Sequence, residues 1–282
     1  MILDGKALAT KIKTELKEEV ENLKSTYEKV PKLAVVLVGN DPASCVYVKN
    51  KKNACNYVGI DSVSIELPEN TTQQELETKL TELNNDSSIN GILLQLPLPK
   101  HLNERSALNC ISATKDVDGL GQENMGRLLT GEDGLVACTP SGIMELFKEY
   151  NISLKGKNAV IINRSILVGK PLIGLLLSQN ATVTVCHSHT KDLFTHTQQA
   201  DIVISAVGKK NFLTADMIKE NAVVIDVSIV RTAEGLCGDA DFDNLKNKAS
   251  FITPVPGGVG PLTIAMLLKN TVKAFKNQNN IY

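Results

Sequence analysis

Tyr47 and Lys51 stand four residues apart in a segment that reads as a helix, so a phenol and an ammonium share one face, one turn apart. So placed, they can position a flat substrate and move a proton. For the lysine to act as a base near neutral pH, burial or neighbouring cations must lower its pKa. Lys49 and Lys52 are close enough in sequence to contribute, although the same run also reads as a solvated helix face. Gln95 falls near the end of the apolar run Gly91 to Leu96, at the C-terminal end of an expected parallel strand, where open α/β sheets bind ligands. Asp116-Val117-Asp118-Gly119 puts two carboxylates in a loop, with turn-making and helix capping as the plain alternatives.

A second group follows the apolar run Asn158 to Asn163. Arg164-Ser165-Ile166-Leu167-Val168-Gly169-Lys170-Pro171 joins it to an apolar helix, and such a turn offers backbone N–H groups and a positive dipole end to a phosphate. It departs from G-x-G-x-x-G: Asn163 and Ser165 take the first two glycine positions, and Gly169 comes one residue late. The next apolar run ends at Cys186-His187-Ser188, with no acid to hold a ribose 2′-hydroxyl. Arg164 with Ser188 can instead receive a 2′-phosphate, which favours NADP as cofactor. A third stretch, Thr253-Pro254-Val255-Pro256-Gly257-Gly258-Val259-Gly260-Pro261, is stiffened by proline and freed by glycine for close backbone approach to a ligand. It leads into a helix with Leu262, Ala265, Leu268, Val272 and Phe275 on one face.

The elements around these groups read as α/β. Asp4 caps a helix carrying Leu8, Ile12, Leu16, Val20 and Leu23. Strands at Leu33 to Val38, Ser62 to Leu67 and Gly91 to Leu96 alternate with helices at Ala43 to Tyr57 and after the capping box Thr72-Gln73-Gln74-Glu75. Residues 111 to 135 read as loop with a short helix near Asn124 to Leu129. Thr139-Pro140 then caps and opens a helix through Tyr150. The pattern restarts with strands at Asn158 to Asn163, Ala181 to Cys186, Asp201 to Val207, Ala222 to Val227 and Ala249 to Thr253. Strands separated by helix-sized segments predict parallel sheets, here in two successive units.

Bulk properties narrow the class. The chain has 282 residues, and its net charge of −1 and lack of tryptophan give no reason to expect nucleic acid as a partner. No apolar run approaches the ~20 residues of a membrane helix, and Asp4 falls where a signal peptide would be apolar. Six scattered cysteines without a C-x-x-C pair suggest neither a metal site nor a disulfide framework. The expectation is a reduced, cytoplasmic, soluble protein.

Taken together, Tyr47-Val48-x-x-Lys51, Gly91 through Pro99, Lys115 through Gly119, Cys138-Thr139-Pro140-x-Gly142, Arg164-Ser165 with Val168-Gly169-x-Pro171, Cys186-His187-Ser188-x-Thr190 and the Thr253 to Pro261 stretch resemble the bifunctional methylenetetrahydrofolate dehydrogenase/cyclohydrolase family. The resemblance runs nearly end to end. It implies an N-terminal folate lobe at 1–137, joined by a returning last helix at 261–282, and a Rossmann-type NADP lobe at 138–260. It also implies a homodimer, with the active cleft between the lobes. The activity implied is oxidation of 5,10-methylenetetrahydrofolate with NADP+, then hydrolysis of the methenyl product to 10-formyltetrahydrofolate, a step of one-carbon metabolism. By similarity Lys51 transfers the proton in hydrolysis, Gln95 tunes it, Tyr47 packs on the folate and Asp118 binds the pterin edge. Leu96, Pro256, Gly257 and Gly258 complete the substrate contacts. Asn163, Arg164, Ser165 and Ser188 face the nucleotide, with Ile229 by the nicotinamide.

Three segments depart from the family pattern. Asn163 replaces a glycine, Ser228 and Val230 stand in Asp226-Val227-Ser228-Ile229-Val230 where Asp-Val-Gly-Ile-Asn is usual, and Gly121-Gln122 replaces His-Pro. Side chains at 163 and 228 are expected to crowd the dinucleotide and weaken its binding. Rival readings are an enzyme with one activity lost, or a non-catalytic NADP(H)-binding regulatory module.

Overall fold

The computed structural model describes residues 1–281, and the chain divides into two compact units. One runs from Lys11 to Cys138 and resumes from Ile264 onward; the other comprises Met1–Thr10 and Thr139–Thr263. They are called here the Lys51 unit and the Arg164 unit.

Helix α1 (Gly5–Tyr27) starts where expected, with Asp4 Oδ1 accepting from Ala7 N at 2.9 Å. Its predicted stripe of Leu8, Ile12, Leu16, Val20 and Leu23 is buried. In the Lys51 unit follow β1 (Lys32–Val38), α2 (Pro42–Val58), β2 (Asp61–Leu67), α3 (Gln73–Asn85), β3 (Gly91–Leu94), α4 (Glu104–Cys110) and α5 (Gln122–Thr130). The strands form a parallel sheet in the order β2-β1-β3, with Val36 opposite both Ile65 and Leu94. Alternate β1 residues Ala34, Val36 and Val38 face a core shared with Leu76, Leu80 and Leu83 of α3. Burying each such leucine stabilises the fold by roughly 1.5–3 kcal/mol. The predicted capping box of α3 forms in full between Thr72 and Glu75.

The Arg164 unit holds α6 (Cys138–Glu149), β4 (Asn158–Ile162), α7 (Gly169–Ser178), β5 (Thr182–Cys186), α8 (Leu193–Gln198), β6 (Ile202–Ser205), β7 (Val223–Asp226), β8 (Val230–Thr232), β9 (Gly235–Cys237), α9 (Phe242–Leu245), β10 (Phe251–Ile252) and the start of α10 (Val259–Gln278). Its five-stranded sheet is parallel in the order β10-β7-β6-β4-β5. The chain leaves β4 for β5 on one side and returns as β6 on the other, which makes the end of β4 a topological switch point. The first residues join this sheet: Leu3 N donates to Ile252 O at 2.8 Å and Ile252 N to Met1 O at 3.0 Å. The last helix passes into the Lys51 unit, where Leu268, Val272 and Phe275 are buried as their spacing predicts.

Some local expectations are corrected. Strand β3 stops at Leu94 rather than Leu96, although Gln95 N still donates to Val36 O at 2.8 Å. Helix α6 begins at Cys138, so Thr139 lies inside it and shares a hydroxyl contact of 2.9 Å with Thr263. Pro140 is tolerated there because the first helical turn has no N–H partner to lose. Helix α4 and the β8–β9 hairpin are absent from the sequence reading. A weak signal for α4 existed in Asn103, whose side chain accepts from Ser106 N at 3.1 Å.

Candidate active site

In the Lys51 unit, α2 begins at a strong stop-and-start signal: Pro42 opens it while Asp41 Oδ2 accepts from Ser44 N at 2.8 Å. The helix carries Tyr47 half exposed and Lys51 half buried on successive turns. Lys51 Nζ donates to Gln95 Oε1 at 2.9 Å, and Gln95 Nε2 donates to Leu96 O at 2.6 Å. This second bond fixes which end of the buried Gln95 amide meets the lysine. Burial pushes the Lys51 ammonium below its ordinary range, while the nearby Asp118 carboxylate pulls in the opposite direction. Burial likewise raises the Asp118 carboxyl, and the Lys51 charge opposes that rise.

The two loop carboxylates have separate tasks. Asp116 is buried and turned inward: Gly119 N (3.1 Å), Leu120 N (3.3 Å) and Gly121 N (2.9 Å) donate to it, as does Asn124 Nδ2 (3.0 Å). It therefore shapes the turn that presents Asp118 beside Lys51. From α10, Asn270 Nδ2 donates to Val117 O at 2.8 Å and to Val136 O at 2.9 Å, tying both sides of the loop to the last helix. Cys138, whose thiol donates to Val117 O at 3.3 Å, joins this cluster, and burial holds its thiol well above the ordinary range. Asn270 does not stand out in the sequence, because it looks like an ordinary helix residue, and Cys138 is marked there only as part of the Cys138-Thr139-Pro140 string, with no role in this cluster. Tyr47, Lys51, Gln95, Leu96 and Asp118 all fall in this unit, whereas Pro256, Gly257 and Gly258 fall in the other. There Gly257 O accepts from Lys6 N at 2.8 Å, and a Cβ on Gly258 would lie 2.5 Å from Pro254 O, so that stretch is closed to side chains.

The Arg164 unit has a cleft of about 270 Å³ at the switch point, lined by Asn163, Arg164, His187, Ser188, Val207 and Lys209 among others. Several amides of the β4–α7 turn that were expected to be free are already partnered. Asn163 Oδ1 accepts from Ser165 N at 2.8 Å and from Gly169 N at 3.1 Å, while Ser165 Oγ accepts from Val168 N at 3.2 Å. Asn163 Nδ2 reaches across to donate to Ala206 O at 2.6 Å. Ser228, buried, accepts from Gly208 N at 3.0 Å. Both side chains expected to crowd a dinucleotide are thus turned into protein contacts that brace the loops around the cleft. Ile229 lies exposed beside Ser228. Among the described residues, no cluster of histidine, cysteine or carboxylate side chains could hold a metal ion.

A doubly wound parallel sheet with its cleft at the switch point, in a chain whose other α/β unit bears a half-buried lysine, defines a two-unit nucleotide-dependent enzyme class. The chain belongs to the tetrahydrofolate dehydrogenase/cyclohydrolase family: residues 3–118 match the model of its catalytic domain and 137–279 that of its NAD(P)-binding domain. It is similar to the bifunctional protein FolD of Campylobacter hominis, at 56% identity over 98% of both chains. The corresponding protein of a Nitratiruptor species is 53% identical over 98% of both. Among solved structures, the bifunctional FolD methylenetetrahydrofolate dehydrogenase/cyclohydrolase of Campylobacter jejuni superposes with a TM-score of 0.97 at 52% identity, covering 98% of this chain and 99% of that one. A Trypanosoma brucei dehydrogenase-cyclohydrolase, solved with NADP cofactor and an inhibitor, superposes with a TM-score of 0.93 at 39% identity, covering 98% and 97%.

Proposed function

We propose that this chain oxidises 5,10-methylenetetrahydrofolate to the 5,10-methenyl form with NADP+, and hydrolyses that product to 10-formyltetrahydrofolate. The observation that carries the hydrolytic half is the Lys51–Gln95 hydrogen bond at 2.9 Å, together with burial that lowers the lysine pKa. A lysine whose pKa is lowered by burial gives up its proton more readily, and the neutral amine can take a proton from the attacking water. Water adds to the methenyl carbon, whose cation is shared by its two nitrogens. The C–N5 bond then breaks, N5 receives a proton, and one proton is released overall. Gln95 holds Lys51 in place, Tyr47 packs on the pterin system, and Asp118 accepts from its polar edge. Leu96, Pro256, Gly257 and Gly258 supply backbone and apolar contact to the folate.

NADP+, when bound, supplies the hydride acceptor, and the oxidation then requires chiefly alignment of donor and acceptor. Arg164, Ser165 and Ser188 hold the 2′-phosphate end of the nucleotide, Asn163 shapes that turn, and Ile229 borders the nicotinamide. The cleft suits such a group: Arg164 and Ser188 line it, and none of its lining residues is acidic. We assign 1–137 with 261–282 to folate chemistry and 138–260 to the nucleotide, with residues 1–10 joined by backbone bonds to the latter. The working form is a cytoplasmic homodimer acting in one-carbon supply, including that for purine biosynthesis. Light scattering of the purified protein at the mass of one chain would reject the dimer. The activity test supplies methylenetetrahydrofolate with NADP+ or NAD+ and follows reduced cofactor and methenyl absorbance together. Reduced cofactor without methenyl accumulation is expected; no reduction with either nucleotide would overturn the oxidative half.

A further inference from the structure

We propose that Lys209 is a second 2′-phosphate-binding cation, set at the same cleft as Arg164 on a loop that Asn163 and Ser228 hold in place; this rests on the NADP-dependent reading above. Lys209 follows β6 and lines the same cleft as Arg164 and Ser188. Among the described residues neither Arg164 nor Lys209 has a carboxylate partner, whereas the adjacent Lys210 is paired with Glu234 at 2.8 Å. Two uncompensated cations facing one cleft, with no acid in its lining, form an anion site.

The usual alternative source of anion binding is reduced here. Asn163 Oδ1 takes the amides of Ser165 and Gly169, and Ser165 takes those of Val168 and, through its carbonyl at 2.9 Å, Lys170. With these four amides engaged, side-chain cations carry a larger share of the phosphate charge. The loop bearing Lys209 is correspondingly rigid. Asp239, fully buried, accepts from Ser205 Oγ (2.6 Å) and from the amides of Val207 (2.6 Å), Gly208 (2.8 Å) and Lys209 (2.8 Å). Asn163 Nδ2 holds the Ala206 carbonyl and Ser228 Oγ shares the Gly208 amide. The Asp239 charge is thus used on backbone, not on the Lys209 ammonium. A cation on a pre-ordered loop loses little entropy on binding, so its attraction appears in affinity. The two departures from the family pattern serve this placement.

The test measures dissociation constants for NADP+, NAD+ and 2′,5′-ADP by calorimetry in the parent, Lys209→Gln and Lys209→Arg. A charged hydrogen bond lost should weaken NADP+ and 2′,5′-ADP by about tenfold in Lys209→Gln. NAD+ should change little, Lys209→Arg should restore most of the loss, and added salt should shrink the difference. Unchanged NADP+ affinity in Lys209→Gln, with an unchanged melting temperature, would overturn the proposal. Equal weakening of NAD+ would overturn it too, because Lys209 would then not read the 2′-phosphate. If the parent itself bound NAD+ as tightly as NADP+, the failure would lie in the NADP reading rather than in Lys209.

Discussion

The two units solve different problems with the same kind of architecture. Around Lys51, ionisable side chains face one another: lysine, Asp118 and the Cys138 thiol are all shifted by burial, and each charge opposes the shift of another. Around Arg164 the cations stand in solvent, and the buried groups serve backbone amides instead. A site that must move protons needs tuned, desolvated groups; a site that must hold a charged nucleotide needs fixed geometry and unpaired charge. The difference teaches that burial of a charge is informative only with its partners named. Asp118 and Asp239 are both enclosed carboxylates, yet the first neighbours a lysine while the second accepts from amides and a hydroxyl.

The contrast breaks most visibly at Lys51. Lys51→Gln removes the proposed proton carrier while keeping a polar side chain beside Gln95, and hydrolysis of methenyltetrahydrofolate should fall by at least about a hundredfold. In the parent, hydrolysis should rise with pH as Lys51 loses its proton, at a pH below that of an ordinary lysine. A pH profile of kcat/KM that is flat across the alkaline limb would contradict this.

The loop that presents Asp118 gives the next largest effect. Gly119 has φ +68°, and a Cβ there would lie 2.4 Å from the Val136 carbonyl carbon. Gly119→Ala combines overpacking with an unfavourable backbone and should destabilise the fold by about 2–4 kcal/mol in denaturant titration. An effect below measurement error would mean the loop can relax, and that Asp118 is not rigidly placed.

In the Arg164 unit, Asp226 offers a test by pH. Burial raises its carboxyl to about 6 from the ordinary 3.8, so the folded state binds the extra proton between those values. The folded state is therefore favoured below the lower value, and stability declines as pH rises through the higher. The gap corresponds to about 3 kcal/mol, lost between about pH 4 and 6. Denaturation midpoints across that range in parent and Asp226→Asn would show it: the parent slope should be steeper, and identical slopes would remove Asp226 from the account.

The smallest effect is local. Asn163→Ala frees the amides of Ser165 and Gly169 as well as the Ala206 carbonyl, and exchange protection of the two amides in the nucleotide-free enzyme should drop by about tenfold. Protection equal to the parent would show that the brace is not formed in solution.

Much of this was legible in the residues themselves. The i, i+4 spacing of Tyr47 and Lys51 placed them on one face of α2, and Thr72 with Glu75 announced the cap of α3. Apolar runs located every strand of both parallel sheets to within a few residues. What the chain did not disclose were effects of tertiary partners. Asn163 looked like an obstruction because a sequence shows a side chain's size but not its direction, and only the approach of Ala206 reveals it as a brace. Asp116 and Asp118 were indistinguishable until the amides of 119–121 turned toward one and Lys51 toward the other. Lys209 was hidden among surface lysines, since a strand end counts as a site only once the sheet order sets the switch point.

The most direct test of the central claim, that proton transfer resides at Lys51 while nucleotide reduction draws on the other unit, is a progress curve of Lys51→Gln with methylenetetrahydrofolate and NADP+. Reduced cofactor should form and methenyltetrahydrofolate should accumulate, where the parent accumulates none. Methenyl hydrolysed as fast as in the parent would contradict the assignment of Lys51.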